Sequence, residues 1–264
     1  MSILASIDPL YVLSGVVVGG LVGFTGVGGG SLMTPILILA FGIHPASAVG
    51  TDLLYAAATK TAGTAVHGFN KTIDWKVVSR LALGSVPFTI LTVAFLYWLG
   101  IESKAVQGLI TKVLGFALLI TSLSLFMRGH LMTLYNRRIG ELDPRLVGPL
   151  TTAVGALLGV LVTISSVGAG AIGVTALVFL YPKLPTQRIV GTDIAHAVPL
   201  TLLAGIGHSI LGTLDLHILG SLLVGSIPAI IVASALSAKT PERVLRFALA
   251  IILLAVCARF WFLA

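Results

Sequence analysis

Two glycine-rich interruptions carry most of the chemistry in this sequence. The first is Gly23-Phe24-Thr25-Gly26-Val27-Gly28-Gly29-Gly30-Ser31, set inside an apolar run from residue 10 to residue 41. The second is Ser165-Ser166-Val167-Gly168-Ala169-Gly170, whose Val-Gly-x-Gly core lies 140 residues after that of the first. Glycine costs about 1 kcal/mol per site relative to alanine in a helix. Broken backbone in hydrocarbon is tolerated only where it is buried in protein or lines a cavity. Peptide N–H groups freed at such breaks, aided by the helix macrodipole, can hold a small anion. The donor set for it is the backbone of Gly28, Gly29, Gly30, Gly168 and Gly170 with the hydroxyls of Thr25, Ser31, Ser165 and Ser166. The competing reading is a close helix crossing, with the serines bonding their own backbone.

Charged residues inside apolar segments come next. Lys60 is the one basic residue deep in such a segment, where a charge costs about 3 kcal/mol on insertion scales. It is either an anion attractor or half of an internal ion pair. At about 1.5 Å per residue it lies about 9 Å, and Asp193 about 12 Å, from the inner face of a core about 30 Å thick. A Lys60–Asp193 contact is therefore allowed. Asp52 and Asp193 follow Thr51 and Thr192 in matching motifs. A buried carboxylate can carry a proton. Alternatively each Thr-Asp pair bonds free peptide groups of a neighbouring broken helix and fixes the site, the reading that the abundance of such donors favours. His196 lies one turn beyond Asp193 and can share its proton, while Tyr55 is its counterpart. His67 and His208 close their helices at opposite faces and are either pH-sensitive gates or simple helix ends. Asp74 and Asp215 read as helix N-caps.

The elements that position these groups follow from composition. The chain has 264 residues, 57% hydrophobic and 9% charged, with mean hydropathy +1.09. These values exclude an ordinary soluble domain and indicate an all-helical polytopic membrane protein. The net charge of +7 then reflects cationic loops rather than nucleic-acid binding. The first nine residues lack the basic start of a cleavable signal peptide. One cysteine, Cys257, excludes an intrachain disulfide and a cysteine-rich metal site, and no metal or cofactor is expected. Apolar segments run over residues 10–25, 31–42, 46–69, 75–99, 104–127, 146–163, 171–181, 189–209, 216–236 and 244–263. Residues 31–42 and 171–181 fall short of the roughly 20 needed to span a bilayer. Each follows a glycine break, so each is an arm of a re-entrant hairpin or a tilted span, for eight to ten spans.

The sequence is duplicated. Gly50-Thr51-Asp52, His67, Asp74 and Gly84-Ser85-Val86-Pro87 recur, each 141 residues later, as Gly191-Thr192-Asp193, His208, Asp215 and Gly225-Ser226-Ile227-Pro228. Five segments per unit make the second unit inverted, an architecture common among secondary transporters. The units are residues 1–127 and 146–264, joined by a polar linker at 128–145. With that linker cytoplasmic, twelve of the sixteen Lys and Arg residues fall inside, as the positive-inside rule requires. Both termini are then outside.

These motifs have a family likeness. The glycine breaks, Ala48-Val49-Gly50-Thr51-Asp52, Ile73-Asp74-Trp75, Gly84-Ser85-Val86-Pro87 and Pro241-Glu242-Arg243-Val244-Leu245 resemble the TauE/SafE (sulfite exporter) family of membrane permeases over nearly the whole chain. The resemblance implies an inner-membrane secondary transporter of sulfite, a small organosulfonate or another small sulfur-containing or organic anion. Alternating access, with protons as a candidate coupling ion and lipid as surroundings, is the expected mechanism. An anion channel and an intramembrane hydrolase are the alternatives. The chain has no His-Glu-x-x-His, phosphate-loop or Gly-x-Ser-x-Gly motif, so no enzyme is expected. Nothing local in the sequence indicates a serine–histidine pair. Oligomeric state is not encoded in any of these signals.

Overall fold

The computed structural model describes residues 7–25, 30–138, 143–236 and 242–263, and among them it is helical, with no strand. The helices are α1 (Pro9–Thr25), α2 (Gly30–Leu39), α3 (Pro45–Phe69), α4 (Trp75–Leu99), α5 (Lys104–Arg138), α6 (Pro144–Ser165), α7 (Ala171–Leu180), α8 (Thr186–Ile210), α9 (Leu216–Leu236) and α10 (Glu242–Leu263). Five stretches are long and apolar enough to cross a membrane: Trp75–Leu99, Lys104–Met127, Pro144–Ser165, Thr186–Ile210 and Leu216–Ala233. Helix α5 continues past the last of its apolar residues to Arg138, so the expected linker begins as helix.

Burial sorts the helices. The most apolar stretch of α8 is 61% buried and that of α4 only 33%, so α8 is central and α4 peripheral. Leu83, Leu91, Tyr97 and Trp98 of α4 are exposed, as suits a face toward lipid rather than water. Helix α3 packs against α8 and carries the buried Asp52 and Lys60.

Glycines set the closest approaches. A Cβ at Gly84 would strike the backbone of Thr152 and Ala156, and one at Gly155 the carbonyl of Leu81. These contacts advance together along both helices, so α4 and α6 run parallel. Helices α1 and α9 do the same: a Cβ at Gly225 would strike Val12 and Val16, and one at Gly15 would strike Leu222. Helices α3 and α8 are antiparallel, with Gly50 beside His208 and Gly205 beside Leu54. So are α5 and α10, where Cys257 Sγ reaches Gly115 O at 3.3 Å and Ser122 Oγ reaches Ala250 O at 2.9 Å.

The short helices turn back. Tyr181, just after α7, has its hydroxyl 2.8 Å from Thr151 Oγ1 near the start of α6. Phe41, just after α2, has its ring centroid 4.5 Å from that of Tyr11 near the start of α1. Each short helix therefore returns toward the end at which its partner began. The hairpin form of the two expected alternatives is the one adopted.

Candidate functional site

The motif Gly-Thr-Asp divides its work among its residues. Gly50 and Gly191 let α3 and α8 approach the turns after the opposite helix, where a Cβ would meet Thr213 and Thr72. Thr51 Oγ1 accepts from Asp215 N at 3.1 Å, and Thr192 Oγ1 accepts from Asp74 N at 2.9 Å. Those aspartates cap the following helices. Asp74 Oδ1 accepts from Lys76 N and Val77 N, and Asp215 Oδ1 from His217 N and Ile218 N. The threonines thus bond peptide groups of turns, not of broken helices. His67 and His208 belong to the same turns. Their Nδ1 atoms lie 2.8 and 3.1 Å from the hydroxyls of Thr72 and Thr213, and His208 Nε2 lies 2.9 Å from Thr163 O.

The third residue of each motif points to a hairpin. Asp52 is fully buried, and its Oδ2 accepts a short hydrogen bond from Thr34 of α2. Ser166 Oγ faces Asp52 but stands outside hydrogen-bonding geometry, as does Asp52 Oδ1. Asp193 is equally buried. Its carboxylate lies so close to α7 that a Cβ at Gly173 would collide with Oδ1. It faces Gly170 N–H, although neither carboxylate oxygen is in hydrogen-bonding geometry.

The break between α6 and α7 is built for this approach. Ser166 sits in the left-handed region at φ 58°, and Gly168 and Gly170 both have φ 128°, where a side chain is strained. Ser165 Oγ donates to Leu161 O at 2.7 Å and accepts from Val167 N at 3.2 Å, so that hydroxyl closes its own turn. The carbonyl left at the tip, Ala169 O, accepts from Lys60 Nζ at 3.1 Å. Lys60 is only 5% exposed. It interacts electrostatically with Asp193 and, less strongly, with Asp52. The allowed Lys60–Asp193 pairing thus takes the form of electrostatic proximity, and the hydrogen bond of the ammonium goes to the backbone.

His196 completes the second cluster. Its Nε2 lies 2.9 Å from Ser85 Oγ of α4, its Nδ1 is buried without a hydrogen-bond partner, and it feels the Lys60 charge. In the matched place of the first half, Tyr55 faces Ser226, outside hydrogen-bonding geometry. Sequence reasoning missed Thr34, Ser85 and the Ala169 carbonyl. The recurrence of Ser85 as Ser226 was a usable signal for one of them. Ser31 is buried at the start of α2. The side chain of Thr25, the residues Gly28 and Gly29, and the surroundings of Gly30 lie outside what the structure describes. Among the described residues no three His, Cys, Asp or Glu side chains group as metal ligands do.

The chain places a buried cation and two buried carboxylates where two broken hairpins meet a central helix pair, an arrangement found in transport proteins. The family model described as sulfite exporter TauE/SafE matches residues 11–260. The chain belongs to the TauE/SafE family. It is 37% identical over 254 residues to the probable membrane transporter protein YjnA of Bacillus subtilis, covering 92% of this chain and 95% of that protein. It is 27% identical over 204 residues to the probable membrane transporter protein MJ0441 of Methanocaldococcus jannaschii, covering 75% of this chain and 70% of that protein. No solved structure matches. Family membership makes the protein a membrane transporter and not an enzyme. The Ser85–His196 pair, which no sequence signal had indicated, is therefore part of a transport protein's polar centre.

Proposed function

We propose that this TauE/SafE transporter moves a small anion, sulfite or a small organosulfonate, by alternating access. The site lies between the hairpin tips and the helix pair α3 and α8. The observation that carries this reading is the buried ammonium of Lys60, bonded to the tip carbonyl of the second hairpin. An ammonium in a poorly hydrated site is a strong partner for an oxyanion. The N–H groups and hydroxyls of the breaks supply geometry and selectivity. Sulfite enters from the family's description as sulfite exporter.

The mechanism rests on a two-unit architecture. Contacts at Gly84 and Gly155 in one half are matched by those at Gly225 and Gly15 in the other. The crossed bonds Thr51–Asp215 and Thr192–Asp74 match as well. These correspondences support residues 1–127 and 146–264 as inverted units. The α4 and α6 N-termini lie at one end with Lys71, Lys76, Arg80, Lys183 and Arg188, which we assign to the cytoplasmic side with the linker 128–145. The termini are outside. Proton coupling runs through Asp193 and Asp52, Asp193 being the carboxylate with fewer local donors. Uptake and export use the same site and differ by the gradients imposed.

The test is flux of labelled sulfite into proteoliposomes, competed by thiosulfate, sulfoacetate, sulfate and acetate. Saturable flux with trans-stimulation, blocked by a sulfur anion, is expected of the carrier. Flux without saturation would make it a channel. A folded preparation that moves no sulfur anion would remove the substrate assignment.

A further inference from the structure

One cavity lies away from the site. It has a volume of about 500 Å³ and is lined by Lys76 and Arg80 of α4, Pro144 and Val147 of α6, and Leu180, Tyr181, Pro182, Lys183 and Leu184. A second cavity of about 740 Å³ shares Arg80 and continues between α4 and α6 past Leu83, Gly84, Phe88, Thr152, Ala153 and Ala156. The first is cationic and the second apolar, and Arg80 stands at their junction.

Arg80 is held rather than waving. Its Nη1 donates to Tyr181 OH at 3.2 Å, Tyr181 OH lies 2.8 Å from Thr151 Oγ1, and Thr152 Oγ1 donates to Arg80 O at 3.1 Å. The guanidinium lies over Gly148, where a Cβ would come within 3.7 Å of it. An arginine has five N–H donors, and Tyr181 takes one of them. The acids nearby have other work. Asp74 pairs with Arg188 at 3.6 Å and caps α4, and Asp143 caps α6 by accepting from Arg145 N. Trp75, exposed beside Lys76, is the residue type that sits at headgroup level.

The duplicated half shows that the fold does not require these cations. The positions 141 residues after Lys76 and Arg80 hold His217 and Ser221. Ser221 Oγ there accepts from Asp8 N at 3.2 Å, and His217 lies edge-on to the Tyr11 ring. The same helix crossing is built without a cation at either position.

We infer that this paired cavity binds an anionic phospholipid, with its phosphate at Arg80 and Lys76 and an acyl chain in the groove between α4 and α6. Charge complementarity selects the headgroup, and the apolar continuation selects a lipid over a free phosphate. The combined volume falls in the range of ligand sites, about 300 Å³ upward.

The experiment is a native mass-spectrometry titration of the detergent-purified transporter. Phosphatidylglycerol and phosphatidylcholine of identical chains are the probes, with glycerol 3-phosphate as competitor. Phosphatidylglycerol should bind several-fold more tightly than phosphatidylcholine. Arg80→Gln should weaken it about fivefold, and Lys76→Gln, at an exposed position that does not endanger folding, by a similar or smaller factor. Lys104→Gln, at the other end of the molecule, should leave it unchanged. Equal binding of the two lipids, or equal loss in Lys76→Gln and Lys104→Gln, would overturn the inference. So would glycerol 3-phosphate binding as tightly as the lipid, since the groove would then contribute nothing.

Discussion

The two halves end their shared motif differently. Asp52 receives the Thr34 hydroxyl and faces Ser166, whereas Asp193 has no hydrogen-bond partner at either oxygen and has Lys60 for its charge partner. The matched place of Lys60 in the second half is Thr201, which bonds its own helix at Ala197 O, 2.8 Å away. One carboxylate is therefore held by local donors and the other by a mobile side chain's charge. A buried group satisfied by neighbours is fixed, while one balanced by a distant charge can exchange that balance for a ligand or a proton. The duplication supplies a frame, and its departures from symmetry supply the chemistry.

The sharpest way to break this comparison is at Lys60. Lys60→Ala should lower anion flux in proteoliposomes by roughly 10- to 100-fold, the worth of a charged hydrogen bond, while Thr201→Ala should leave it unchanged. Equal small effects would make Lys60 scaffold. The next contrast is between carboxylates. Uptake accelerated by an imposed pH gradient should lose that acceleration in Asp193→Asn. It should persist in Asp52→Asn, whose amide carbonyl can still accept from Thr34. Persistence in both would remove these groups as proton carriers. A smaller effect is steric. Gly173→Ala should lower thermal stability by about 1–3 kcal/mol because its methyl displaces the Asp193 carboxylate. Gly220→Ala meets nothing within 4 Å and should be neutral or slightly stabilising. The smallest tests the symmetric part: Thr51→Val and Thr192→Val should each cost about 1 kcal/mol in unfolding. Markedly unequal costs would show that the asymmetry begins before the third residue.

Helix number and order were readable from apolar runs, since bilayer length and hydropathy leave few alternatives for the longer helices. The Gly-Thr-Asp motif was readable as important because it recurs in register. Its inner division of work was not, because the turns it bonds lie more than a hundred residues away. The breaks announced themselves through glycine, but reversal of the chain at them rests on Tyr181 meeting Thr151 and Phe41 meeting Tyr11, contacts no local pattern encodes. Ala169 is invisible to any reading by side chains, since its carbonyl does the work. Thr34 lies outside the ungapped match from Gly50 to Pro87, so the repeat carried no signal for it.

The parallel pairing of α1 with α9 also sets an order on biosynthesis. Gly15 packs on Leu222, a residue translated about 200 positions later. At about 5–20 residues per second that is a wait on the order of 10–40 s. Meanwhile α4 finds α6 after little more than the length of α5. The growing chain must hold its first helix, with the glycine-rich face uncovered, until nearly all the rest has been inserted. A ribosome stalled anywhere before α9 would leave that face open to other helices in the bilayer.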